Sequence, residues 1–184
     1  KNIVITEGKT DCIYIKKALE KLVGSFPLLK NETEFIPIGG TDFEVDNDFL
    51  SKIAQLDGRR IIRLVDRDES GLKCARGLLG NNNLKKVDIN DFRNIGSRTD
   101  MFLLMLPPIG GDFSEDFLIE DYFDHNKVLD ISKQYIDQKF TDKFTCFPKV
   151  KQDLKEKLLP EFAKTTASNV DMERFRTLHE KLEA

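Results

Sequence analysis

Three short acidic motifs punctuate the 184-residue chain: E-G-K-T-D with Glu7 and Asp11, D-R-D-E-S-G with Asp66 and Asp68, and I-E-D-Y-F with Glu120 and Asp121. Carboxylate oxygens are hard donors suited to magnesium or manganese, which take few protein ligands and keep positions for water and substrate phosphate. Asp66 and Asp68 leave the end of a strand-like run two residues apart, so their side chains point the same way and converge on one cation. A further carboxylate source at a neighbouring strand end completes that site or builds a second. Two such ions serve the attacking and leaving oxygens of a phosphoryl displacement. Each motif also has a plainer reading. Glu7-Gly8 alone is a tight turn, Asp11 a charge set against a helix dipole, Asp66 with Asp68 a polar turn or a helix cap, and Glu120 with Asp121 a solvated pair. The conjunction of all three is what points to chemistry.

These acids need elements to carry them. Asn2 to Thr6 reads as a buried strand, and Cys12, Ile15, Leu19 and Leu22 form the stripe of a helix that Thr10 or a neighbour caps. A loop rich in turn residues precedes a second strand at Glu34 to Ile38, ended by Gly39-Gly40. Val45, Phe49, Ile53 and Leu56 make a second helical stripe, and Arg60 to Val65 is the most strand-like run in the chain. A helix follows from about Ser70 to Leu79. A fourth strand covers Met101 to Leu106, and a helix starts again at Phe117 to Phe123. Helices are expected over 149–164 and from Val170 to Leu182. Strands alternating with helices imply an α/β fold with a mainly parallel sheet of about four strands, flanked by helices, with a helical C-terminal extension. The internal boundary divides a core at 1–123 from an extension at 124–184. In open sheets of this kind ligands bind at the carboxyl ends of the strands, where the acids stand.

Composition narrows the class. With 40% apolar and 33% charged residues, the chain has the make-up of a globular protein with a real core. No apolar run reaches membrane-spanning length, and no secretory signal is present. Three cysteines (Cys12, Cys74, Cys146) are odd in number and lack Cys-x-x-Cys spacing, which argues for free thiols in a reducing cytoplasm. The net charge of −3 hides an uneven distribution, with eight lysines between Lys127 and Lys157, a solvated helical face or a phosphate-facing one. His125 and His179 lack partner spacing, and Tyr14 and Tyr122 read as helix packing. A first residue of Lys1 running straight into a strand suggests a piece of a longer polypeptide.

E-G after the first strand and D-x-D-x-x-G after a later one, each followed by a helix, resemble the Toprim family of topoisomerases, primases, recombination-repair proteins, RNA maturases and OLD-family nucleases. The resemblance covers roughly residues 2–123, including Gly39-Gly40, and is greatest to the OLD nucleases. It implies a Toprim fold and a metal-dependent endonuclease that cuts or nicks DNA in phage defence or repair. Glu7, Asp66 and Asp68 would be catalytic. Glu7, Asp11, Asp66, Asp68 and Glu120 would bind two Mg2+ or Mn2+ ions, with Asp121 as the alternative to Glu120. Lys149 or Lys151 would stabilise charge at the scissile phosphate. It also implies an ABC-type ATPase ahead of this domain, through which the protein could form homo-oligomers, and no membrane partner. An RNA-maturing or primase-like enzyme shares the cluster, as does a degenerate Toprim module that only binds nucleic acid. A phosphoacceptor receiver domain ranks below these, because its acidic pair would follow the first strand.

Overall fold

The computed structural model describes residues 2–22, 26–38, 58–96, 99–123 and 173–184, together with Lys52 and Gln55. Within them lies a five-stranded sheet: β1 (Asn2–Thr6), β2 (Thr33–Pro37), β3 (Arg60–Val65), β4 (Arg93–Asn94) and β5 (Met101–Met105), in the order β2-β1-β3-β5-β4. All pairings are parallel except β4 with β5. The fold is thus α/β with a mostly parallel sheet. β1, β3 and β5 stand side by side at its centre, and this adjacency brings the first and second acidic motifs to one edge.

The central strands are almost continuous apolar runs because both faces of the sheet are covered. Alternate residues serve alternate faces. Val4, Ile62, Leu64 and Leu104 face a core shared with α1 (Lys9–Lys21), α2 (Pro27–Glu32) and α4 (Arg176–Glu183). Ile3, Ile5, Ile61, Val65 and Leu103 face the opposite core, into which α3 (Glu69–Leu79) sends Leu72 and Ala75. Phe175, Leu178 and Leu182 are fully buried in the first core, so residues 173–184 belong to the same packed body as the described residues between 2 and 123. The Glu183 carboxylate secures this by accepting the Leu29 amide at 2.7 Å.

Several expectations are corrected. The loop expected before the second strand contains α2, with Pro27 in its first turn, where proline's fixed φ favours helix entry. The helix expected at Phe117 to Phe123 is one 3-10 turn, Ile119–Tyr122. Phe117 cannot begin a helix because it pairs antiparallel with Arg67, each amide donating to the other's carbonyl (2.8 and 2.9 Å). β4 is additional to the four strands expected. Gly8, not Thr10, caps α1, while a 3-10 turn (Glu173–Phe175) precedes α4. Gly39-Gly40, the stripe from Val45 to Leu56, Val170 and the helix at 149–164 lie outside the described residues. Among the described residues no helix is long and apolar enough to cross a membrane.

Candidate acidic site at the sheet edge

β1 and β3 end together, and each hands its acids to the first turn of the helix that follows. Glu7 leaves β1 half-buried and its Oε1 accepts the Asp66 amide at 3.3 Å, joining the two strand ends directly. Asp11, one turn into α1, accepts the Gly8 amide at 2.8 Å, which pins the E-G turn. Asp66 Oδ1 accepts the Ile119 amide at 3.3 Å, tying the third motif to the second. Asp68 is the N-cap of α3 and accepts the Gly71 amide at 2.8 Å. The helix-capping reading is therefore realised for Asp68, alongside any other role.

The glycine that closes D-x-D-x-x-G has a definite reason. A Cβ at Gly71 would stand 1.9 Å from the Asp66 carbonyl oxygen, so only glycine lets α3 start this close to the strand end. Gly77, six residues along the same helix, meets nothing within 4 Å.

Electrostatics binds four of the acids into one group. Burial pushes the Glu7 carboxyl up to about 8, and the charges of Asp66, Asp11 and Asp68 add to that rise. Glu7 thus holds a proton at neutral pH. Glu120 follows Ile119, whose amide reaches Asp66. Its Oε2 is closed off from solvent, and it shares with Asp11 the electrostatic neighbourhood of Tyr14. The Tyr14 hydroxyl is buried with no hydrogen-bond partner among the described residues, and burial followed by the charges of Glu120 and Asp11 drives its pKa upward. Asp121 turns away to accept the Leu118 amide at 2.7 Å. Asp116 is exposed and paired with Lys86 at 2.5 Å. Lys149 and Lys151 lie outside the described residues.

The donor set fits a hard divalent cation in type: carboxylate oxygens, partly exposed, with a proton retained on Glu7 by burial and by the charge of its neighbours. The carboxylates do not close a coordination sphere as they stand. Among the described residues no three His, Cys, Asp or Glu side chains are gathered tightly enough to hold an ion.

Two features escaped the sequence reading. Tyr14 lies three residues after Asp11 on α1, a spacing that puts both on one helix face and could have linked them. Arg67, the middle residue of D-x-D, is completely buried, and its donors reach four backbone carbonyls. The alternation of a strand places Arg67 opposite the two aspartates, but nothing in sequence marks carbonyl partners. No family model, no curated protein and no solved structure matches the chain.

Proposed function

We propose that this chain is a divalent-cation-dependent phosphodiesterase of the Toprim type, acting on DNA. The observation that carries the reading is the gathering of Glu7, Asp11, Asp66 and Asp68 at the carboxyl ends of β1 and β3, close enough that their charges add to the burial that keeps Glu7 protonated at neutral pH. Carboxylates crowded at a partly exposed strand edge oppose folding unless a cation neutralises them, and such pairs mark functional sites more often than structural ones.

Magnesium or manganese, when bound, supplies positive charge that neutralises the phosphate and lowers the pKa of an adjacent water. Asp66 and Asp68 would hold one ion with Glu120, and Glu7 and Asp11 another, with Asp66 between them. Glu7 gives up its proton as positive charge arrives. Hydrolysis then joins the water oxygen to phosphorus and breaks one P–O ester bond, the leaving oxygen taking a proton. Lys149 or Lys151 would offset charge on the phosphate. Full activity in the cell would involve an ATPase domain in the same polypeptide, with phage defence or repair as the setting.

Supercoiled plasmid incubated with the protein tests the reading. Nicking with magnesium or manganese, none with EDTA, and at least about a 100-fold loss in Asp66→Ala are expected, the scale for removing one electrostatic element of a site. Nicking that persists under chelation would remove the cation from the reaction. Preferential cleavage of structured RNA would move the substrate class.

A further inference from the structure

The D-x-D turn has two sides, and the buried one is as constrained as the acidic one. Arg67 is completely buried, and burial draws its pKa down only to about 10, so the guanidinium remains charged at neutral pH. Its Nε donates to the Leu106 carbonyl at 2.9 Å, Nη1 to Lys86 at 2.8 Å and Phe113 at 3.4 Å, and Nη2 to Ile89 at 2.7 Å. The guanidinium also lies 4.9 Å from the centre of the Phe113 ring. One side chain thereby fastens three separate segments: the turn at 86–89, the end of β5, and the loop that leads to the third acidic motif. Its own backbone continues the job through both hydrogen bonds to Phe117. Two residues later the Ile119 amide reaches Asp66, and Glu120 follows.

We propose that Arg67 is a positioning residue of the acidic site, holding the 106–117 segment against β3 so that Ile119 and Glu120 are set beside Asp66. Its effect on cleavage rests on the phosphodiesterase reading, whereas its effect on the segment does not. The geometry asks for arginine in particular. Five donors fixed in one plane can serve four carbonyls arriving from different segments, while lysine offers three donors from one point. Without the guanidinium these carbonyls lose their donor in a buried place, and the segment has reason to move toward water. A displacement of about 1 Å at a site built by positioning reduces rate on the order of 100-fold.

The experiment compares Arg67→Met and Arg67→Lys with Leu29→Ala, a cavity made in α2, which packs on β2 at the sheet edge away from β5. On the full chain in EDTA, Arg67→Met and Leu29→Ala should each lower Tm on the order of 10 °C. Only the Arg67 variants should raise amide exchange at Phe117 and Ile119, on the order of tenfold beyond the rest of the sheet. They should also raise the magnesium concentration that half-saturates nicking, while Leu29→Ala leaves it unchanged. Lysine should restore part of both. If the Phe117 and Ile119 amides loosen only in step with the whole core, and the magnesium requirement matches that of Leu29→Ala, Arg67 is a stability element and the proposal falls. Should the wild type neither nick DNA nor gain stability from magnesium, the phosphodiesterase reading falls, and the exchange pattern alone decides positioning. Should Arg67→Met fail to fold, Arg67→Lys decides through the same measurements.

Discussion

The acidic edge and the seat of α4 handle ionisable groups in opposite ways. At the edge, the acids Glu7, Asp11, Asp66 and Asp68 crowd together, each steadied by a backbone amide, and burial followed by the charge of its neighbours leaves a proton on Glu7. At the seat, His179 is enclosed between Phe26 (ring centres 5.4 Å apart) and Phe175 (6.2 Å), and burial keeps it neutral, with its pKa down at about 4. One region takes up a proton on folding and the other refuses one. A seat that excludes charge is built for packing. An edge that concentrates charge, and stays partly open to water, leaves its acids within reach of a ligand of opposite sign, as the proposed function requires.

The comparison breaks most severely at Gly71. Alanine there must displace the Asp66 carbonyl, so Gly71→Ala should reduce stability by more than about 3 kcal/mol, above the usual range for an overpacked site. It should also abolish nicking, since the shift falls on the D-x-D turn itself. Gly77→Ala is the control. With open space around it in the same helix, it should gain about 0.5–1 kcal/mol by helix propensity. Urea melts of both variants check the pair, and equal effects would mean that α3 does not approach β3 as described.

Glu7→Gln sharpens the electrostatic half. A carboxyl whose folded pKa is raised to about 8, from an ordinary 4.5, contributes stability that is present below pH 4.5 and lost as pH rises through 8. Glutamine keeps an oxygen for the Asp66 amide and carries no charge. Glu7→Gln should therefore match the wild type near pH 4.5 in EDTA and exceed it at pH 8. The gain should be about 3 kcal/mol, less than the full linkage value because Glu7 is partly exposed. Magnesium should reverse the order, because it stabilises the wild type and has lost a ligand in the variant. A difference between the two proteins that does not change with pH would show that folding does not raise the Glu7 pKa.

Sequence alone showed four of the five strands, including β2 at one edge, and hid β4 at the other and the short helix α2, for a physical reason. β1, β3 and β5 are covered on both faces and so are apolar throughout, a pattern visible without partners. β4 is two exposed polar residues held only by β5, and α2 is too short for a stripe to develop. Phe117, Ile119, Tyr122 and Phe123 mimic helical periodicity, but the Arg67–Phe117 pairing fixes the first of them as extended. In the site, Glu7, Asp11, Asp66 and Asp68 were legible because strand ends in a parallel sheet share an edge. Glu120 depends on a loop whose course is set by Arg67, and carbonyl acceptors are the same for every residue type.

His179 offers the smallest expected effect and the cleanest sign. A histidine with an ordinary pKa of 6.5 when unfolded and about 4 when folded binds more protons in the unfolded state throughout that interval. Its contribution is complete above pH 6.5 and is lost as pH falls toward 4. At pH 5 the loss should be about 2 kcal/mol, from 1.5 units of linkage at 1.36 kcal/mol each. The Ile15 carbonyl beside the ring favours the proton, while burial and the nearby Arg176 charge oppose it, and burial dominates. In the wild type this slope is masked, because Glu7 gains stability over much of the same interval as the histidine loses it. The measurement therefore belongs in the Glu7→Gln background, where the edge no longer titrates at that position. Adding His179→Leu there should flatten stability between pH 6.5 and 5, and the single Glu7→Gln protein should lose the full 2 kcal/mol over the same range. If both proteins lose stability equally on acidification, the ring is hydrated, and the seat of α4 is not the charge-excluding region that the contrast with the acidic edge requires.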